Sequence, residues 1–232
     1  MAMRRAISCL AVCLVLAGCG SSSQPASIDP VQLLRDSGAA MGSLKTVSAT
    51  LKFTKGSVSF QGFTLVSAKT AVRLPADSDT TYTVKEQDFT VALEVVITGG
   101  HVYLQVPFSA LHEETGATAA ALPDLAKLFD PSTGLPAVIP AGRNAKDSGE
   151  DSVDGVSTHV VDATYTADQV HGMLAQVSST GDIQARIWIG EADHLIRRAT
   201  LDGAFGDGGK ESAIEVDISG FNAAVSITSP SP

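Results

Sequence analysis

The first hydrophobic pattern after residue 28 has the spacing of an amphipathic helix. Asp29 is suited to the N-cap and Pro30 to the first helical position, and Gln32 completes a capping box. Gly42 is suited to the position just beyond the helix end. These signals predict a helix over residues 30–41, whose apolar face carries Val31, Leu34, Gly38 and Met41.

From about residue 47 the apolar residues recur at every second position, which is typical of half-buried strands. Alternating runs cover residues 51–65, 68–74 and 80–85. The clearest hairpin covers residues 89–106, with Gly99 and Gly100 at the turn. One face of this hairpin carries Val91, Leu93, Val95, Ile97, Val102, Leu104 and Val106.

The strand pattern disappears over residues 107–147, where only a short helix at 123–129 is predicted. Beyond this region the pattern predicts two more hairpins, centred on residues 153–156 and 190–194. A second capping box at Thr166 and Gln169 predicts a helix to about residue 177. A strand at 212–219 and a last strand at 223–228 follow. Hairpins dominate, so the predicted class is α+β with one large antiparallel sheet.

The N-terminus has the features of a secretion signal. Arg4 and Arg5 precede an apolar run over residues 6–17, which is too short to span a bilayer as a helix. The run ends in Leu-Ala-Gly-Cys at residues 16–19, which resembles the bacterial lipobox. We therefore predict a lipoprotein signal peptide over residues 1–18, an acylated Cys19 with a flexible tether over 19–28, and one domain over 29–232. The alternative is a plain signal peptide with a chance cysteine.

Composition and motifs exclude several classes of function. The formal net charge is -9, which argues against nucleic acid as a partner. No cysteine follows Cys19, so the body has no disulfide and no thiol nucleophile. We find neither a G-x-S-x-G elbow nor a phosphate-binding loop, and the acidic residues of 147–154 lack the spacing of a calcium loop. The five histidines are interpreted as solvated or hydrogen-bonded side chains, so we predict no enzyme activity, no metal and no cofactor. A hydrolase would require His159 or His171 beside a serine.

Several segments resemble the LppX/LprG family of mycobacterial lipoproteins. The most specific is residues 187–195 (IWIGEADHL), and residues 129–135 (FDPSTGL), 150–155 (EDSVDG) and 229–230 (SP) match in order along the chain. The resemblance implies a half-barrel, in which an antiparallel sheet wraps around several helices and leaves an apolar cavity for acyl chains. Members of the family bind acylated lipids and glycolipids and are thought to carry or present them in the cell envelope.

The expected function is therefore a lipid-anchored carrier on the extracytoplasmic face of the cell membrane. Its expected partners are an acylated lipid or glycolipid, the plasma membrane through the anchor, and a membrane lipid exporter; the protein is expected to be a monomer. The alternative is a non-catalytic envelope lipoprotein with a filled core that supports a transporter or enzyme complex. The residues predicted to line the cavity are Val84, Phe89, Val91, Leu93, Val95, Val102, Leu104, Ile187 and Ile189.

Overall fold

One antiparallel sheet dominates the fold, which was obtained as a computed structural model. The structure describes residues 28–60, 62–173 and 179–229. In this part of the chain twelve strands join one sheet, in the order β7-β6-β5-β4-β3-β1-β12-β11-β10-β9-β8, with β2 paired to β3. Their bounds are Thr46–Lys55 (β1), Val58–Phe60 (β2), Phe63–Arg73 (β3), Asp77–Glu86 (β4), Phe89–Thr98 (β5), His101–Gln105 (β6), His112–Glu114 (β7), Arg143–Val153 (β8), Val156–Tyr165 (β9), Ile183–Gly190 (β10), Ile196–Gly206 (β11) and Lys210–Ser219 (β12).

The helices are few and short. Four α-helices and two 3-10 helices are found among the described residues. The fold is therefore a large open antiparallel sheet with a few helices, which confirms the predicted α+β class and is consistent with a half-barrel. The helix bounds are Pro30–Gly42 (α1), Gly116–Ala121 (α2), Leu135–Val138 (α3) and Ala167–Met173 (α4), with 3-10 turns at Leu125–Phe129 and Ile139–Ala141.

The pairing of β1 with β12 joins the two halves of the chain. On one side β1 pairs with β3, and on the other side it pairs with β12, where Leu51 lies opposite Val216. The strands β2 to β7 therefore lie on one side of β1, and β8 to β12 lie on the other. The centre of the sheet is therefore formed by the β1–β12 pair, in which the paired residues are more than 150 positions apart in sequence.

The helix α1 begins where the sequence predicts, but its capping box is only half formed. The Asp29 carboxylate accepts hydrogen bonds from the backbone N–H groups of Val31 (2.9 Å) and Gln32 (3.3 Å). The Gln32 side chain turns instead to the carboxylate of Asp36 at 2.8 Å. The predicted apolar face is shifted, because Val31 is 38% exposed. The buried face consists of Leu33, Leu34, Ser37, Gly38 and Met41.

The second capping box forms as predicted. The backbone N–H of Thr166 donates to the Gln169 side-chain oxygen at 2.7 Å, and the N–H of Gln169 donates to the Thr166 hydroxyl at 3.3 Å. The helix α4 that follows is described to Met173. Residues 174–177 of the predicted helix lie outside the described residues.

The strand predicted at residues 223–228 is wrong, because that segment forms no strand. The neighbouring strand β1 offers this segment no free side, since it pairs with β3 and β12. The chain is fastened there by Asn222 instead. Its N–H donates to the carbonyl of Thr46, and its side-chain oxygen accepts from the N–H of Lys45, both at 2.9 Å.

Candidate functional site

An apolar cavity of about 190 Å³ lies on the inner face of the sheet. Most of its wall is formed by alternate residues of β1, β10, β11 and β12, since successive side chains on a strand point to opposite faces. These wall residues are Ala49, Leu51 and Phe53 of β1, Ile183, Ala185 and Ile187 of β10, Ile196, Ala199, Leu201 and Phe205 of β11, and Ile214, Val216 and Ile218 of β12. The strands β2, β3, β4 and β9 contribute the rest.

Short helical segments cover the cavity on the side away from the sheet. The 3-10 turn Leu125–Phe129 is capped by the Asp124 carboxylate, which accepts from the N–H of Ala126 at 3.1 Å. Burial is the main cause that raises the pKa of the Asp124 carboxyl. This turn, α3, the 3-10 turn Ile139–Ala141 and α4 contribute the covering side chains Leu125, Leu128, Leu135, Val138, Ile139, Val170 and Met173.

The cavity offers its contents almost no polar contact. Within the described residues no charged side chain lines it. The hydroxyl of Tyr165 is already used, because it donates to the carbonyl of Ile139 at 3.0 Å. Burial raises the pKa of Tyr165 and of Tyr82, so both stay neutral. Such a surface binds hydrocarbon by exclusion from water and makes few directed bonds to it.

The hairpin predicted to line the cavity belongs mostly to a separate, filled cluster. Val84, Leu93 and Val95 are buried there, with Leu122 and Leu125 packed among them. The residues Val91, Val102 and Leu104 are partly buried and pack against the same cluster. The cavity borders this cluster at Leu65, Ala68, Tyr82, Leu125 and Leu128.

The remaining predicted residues are divided between the wall, the core and the surface. Ile187 lies in the cavity wall, whereas Ile189 is fully buried in the main core beside it. Phe89 begins β5 and is 74% exposed. Cys19 lies outside the described residues. Contact of any of these side chains with lipid stays a prediction.

Most of the cavity wall was absent from the predicted set, although its signal is present in the sequence. Leu51 and Phe53 alternate with polar residues, as do Ile214, Val216 and Ile218. The same alternation marks the filled cluster. Periodicity therefore finds the inner face of the sheet but does not separate a wall from a packed core.

The volume sets the size of what the cavity encloses. An apolar cavity of about 150 Å³ holds a benzene molecule. By that comparison the space here holds on the order of eight carbon atoms. This is part of one long acyl chain, so a complete chain requires the covering segments to move or the chain to extend out of the cavity.

The open sheet with an apolar cavity on its inner face defines a class of lipoprotein folds. The family model described as "LppX_LprAFG lipoprotein" matches residues 29–227, and the chain belongs to this family. The family resemblance predicted from the sequence is thereby confirmed. No helix among the described residues is long and apolar enough to cross a membrane.

Solved structures and curated relatives agree with this assignment. The crystal structure of LprF from Mycobacterium bovis has a TM-score of 0.70 at 20% identity, covering 88% of this chain and 97% of that one. The Mycobacterium tuberculosis lipoprotein LppX has a TM-score of 0.63 at 21% identity, with coverages of 86% and 98%. These two structures show the fold alone.

Two curated relatives are named "Lipoarabinomannan carrier protein LprG". The Mycobacterium tuberculosis protein (strain H37Rv) is 28% identical over 113 residues, covering 48% of this chain and 46% of the relative. The Mycolicibacterium smegmatis protein is 26% identical over 135 residues, with coverages of 58% and 55%. The chain thus matches about half the length of these curated relatives.

Proposed function

We propose that this protein is a non-catalytic, membrane-anchored lipoprotein that binds the acyl chains of a lipid or glycolipid and carries or presents them in the cell envelope. The observation that carries the proposal is the uncharged apolar cavity between the sheet and its short covering helices. The names of the curated relatives support a lipid or glycolipid as the ligand. The cavity also argues against the alternative of an envelope lipoprotein with a completely filled core.

The cavity supplies enough binding energy to hold hydrocarbon but leaves the head group outside. Each methylene moved out of water contributes roughly 0.8 kcal/mol, so eight carbons contribute on the order of 6 kcal/mol. A polar head group finds no charged partner among the described lining residues. We therefore expect selectivity for chain length and chain number to arise in the cavity, and head-group selectivity to arise at its mouth.

The anchor is the second part of the proposal. Cys19 carries the acyl anchor after cleavage of residues 1–18, and the following nine residues act as a tether to Asp29. A tether of nine residues reaches at most about 30 Å, which keeps the domain close to the membrane. We propose that the carrier acts as a monomer and hands its lipid to a membrane exporter.

Lipid extraction tests the proposal directly. The full chain is produced in an actinobacterial host, purified and extracted with organic solvent, which removes non-covalent lipid but leaves an acyl chain that is covalently bound to Cys19. Mass spectrometry of the extract is expected to find acylated lipid at near-equal molar ratio to protein. A chain that yields no lipid, and that takes none from lipid vesicles, would refute the carrier function and favour the interaction lipoprotein.

A further inference from the structure

Three side chains with metal-binding atoms meet at one corner of the sheet. Glu150, His159 and Glu191 each offer a carboxylate oxygen or ring nitrogen, and these atoms all lie within 4.8 Å of one another. The three residues belong to β8, to β9 and to the turn after β10.

Strand register is the cause of this meeting. Glu150 lies directly opposite His159 in the β8–β9 pair. The backbone N–H of Glu191 donates to the carbonyl of Ser157 at 3.1 Å, which extends the β9–β10 pairing by one residue. Residues opposite each other share a face of the sheet, as do residues two apart on one strand. The backbone therefore holds all three side chains on the same side.

Among the described residues, no lysine or arginine balances the negative charge of the two glutamates. Neither glutamate is in an ion pair with a lysine or an arginine in this part of the chain. The Nδ1 atom of His159 is buried and has no hydrogen-bond partner there. Two nearby carboxylates without a cation repel each other, and a buried ring nitrogen without a partner costs free energy. A bound cation would relieve the repulsion and, with Nδ1 as its ligand, would also give that nitrogen a partner.

We propose that Glu150, His159 and Glu191 form a binding site for a divalent transition-metal ion such as Zn²⁺. One imidazole nitrogen and two carboxylates suit zinc, whereas calcium and magnesium prefer oxygen ligands alone. Metal–ligand bonds of about 2.0–2.2 Å place tetrahedral ligands roughly 3.4 Å apart. Both glutamates are exposed, so side-chain rotation closes the remaining gap, and water completes the coordination. The ion links the β8–β9 hairpin to the turn after β10.

Zinc titration of the purified full chain, free of any histidine tag, tests this site. We expect one Zn²⁺ bound by calorimetry and a higher Tm in zinc. His159→Ala and Glu150→Gln are each expected to weaken binding by at least about tenfold, since even outer partners of metal ligands contribute 10–100-fold.

The chain offers controls in two other His–Glu pairs. Nδ1 of His101 lies 2.7 Å from Oε1 of Glu113, and Nε2 of His112 lies 3.1 Å from Oε1 of Glu114. His101→Ala and His112→Ala should leave zinc affinity unchanged. The Tm of each variant in chelator separates folding from binding, and Glu191→Gln gives a third, conservative substitution. No bound zinc, or an affinity that falls with the controls but not with the cluster variants, would overturn the proposal.

Discussion

A tryptophan placed in the cavity wall should exclude lipid without unfolding the protein. Val216 is the appropriate position, because it lies in the wall at the centre of the sheet, opposite Leu51 of β1 and Ala199 of β11. It is only partly buried, so a larger side chain can extend into the cavity. Val216→Trp therefore takes up space that the acyl chain would otherwise occupy.

The size of the effect follows from the cavity volume. The 190 Å³ of free space holds on the order of eight carbons. If the indole fills half of it, about four methylenes are excluded, which lowers the binding free energy by roughly 3 kcal/mol. Because 1.4 kcal/mol corresponds to a tenfold change, affinity should fall on the order of a hundredfold.

The assay compares Val216→Trp with Val91→Trp. Val91 is also a partly buried strand valine, but it packs against the filled cluster away from the cavity. Lipid extracted per protein, and displacement of a fluorescent fatty acid, are measured for both variants after circular dichroism has shown that they fold. We expect loading to fall for Val216→Trp and to persist for Val91→Trp. Normal loading of a folded Val216→Trp, or equal losses in both, would refute the assignment of the cavity as the lipid site.

Two further predictions concern stability and titration. Gly38→Ala should destabilise the protein by about 1–3 kcal/mol in thermal unfolding, because the added Cβ would lie 2.6 Å from Cγ of Pro140. Gly42→Ala on the same helix is the control. Its Cβ meets nothing closer than 3.4 Å, so this variant should be neutral or stabilising. Hydrogen bonds to the Asp130 carboxylate, of which that from the Ser132 hydroxyl has the largest effect, lower the pKa of Asp130 to about 2. The ionised Asp130 therefore contributes fully to stability above the ordinary carboxyl pKa, and this contribution is lost as the pH falls through 2. A carboxyl NMR titration should show this, with a higher pKa in Ser132→Ala; an unshifted pKa in the parent chain would contradict it.

Apolar alternation and turn residues predicted much of the fold, because they indicate which side chains are buried and where the backbone reverses direction. Alternation located nearly every strand, and the hairpin signals at residues 99–100 and 153–156 gave correct neighbours. The start of the edge strand β8, over residues 143–147, was missed because the residues of this strand are almost all exposed, which removes the alternation. The strand predicted at residues 223–228 does not form, because β1, beside which the chain runs at Asn222, already pairs with β3 and β12.

The site was harder to predict because a cavity depends on what fails to pack against a surface. The inner faces of β5 and β12 have the same apolar pattern. Leu122 and Leu125 fill the space above the first, whereas the covering segments leave a gap above the second. That difference depends on tertiary packing of the region between residues 107 and 147, where the sequence carries no clear periodicity. The metal-binding cluster was equally hidden, since its residues come together only through register.

The order of folding follows from the same division between the two halves. The filled cluster rests on the β3–β4, β4–β5 and β5–β6 hairpins, whose partners are close in sequence. The cavity wall requires β1 to pair with β12, for example Leu51 with Val216, and closing so long a loop carries a larger entropy cost. Pulse-labelled hydrogen exchange during refolding should therefore protect the amides of β4 and β5 before those of β1 and β12. Simultaneous protection of all four strands would contradict this order and would mean that the cavity forms together with the core.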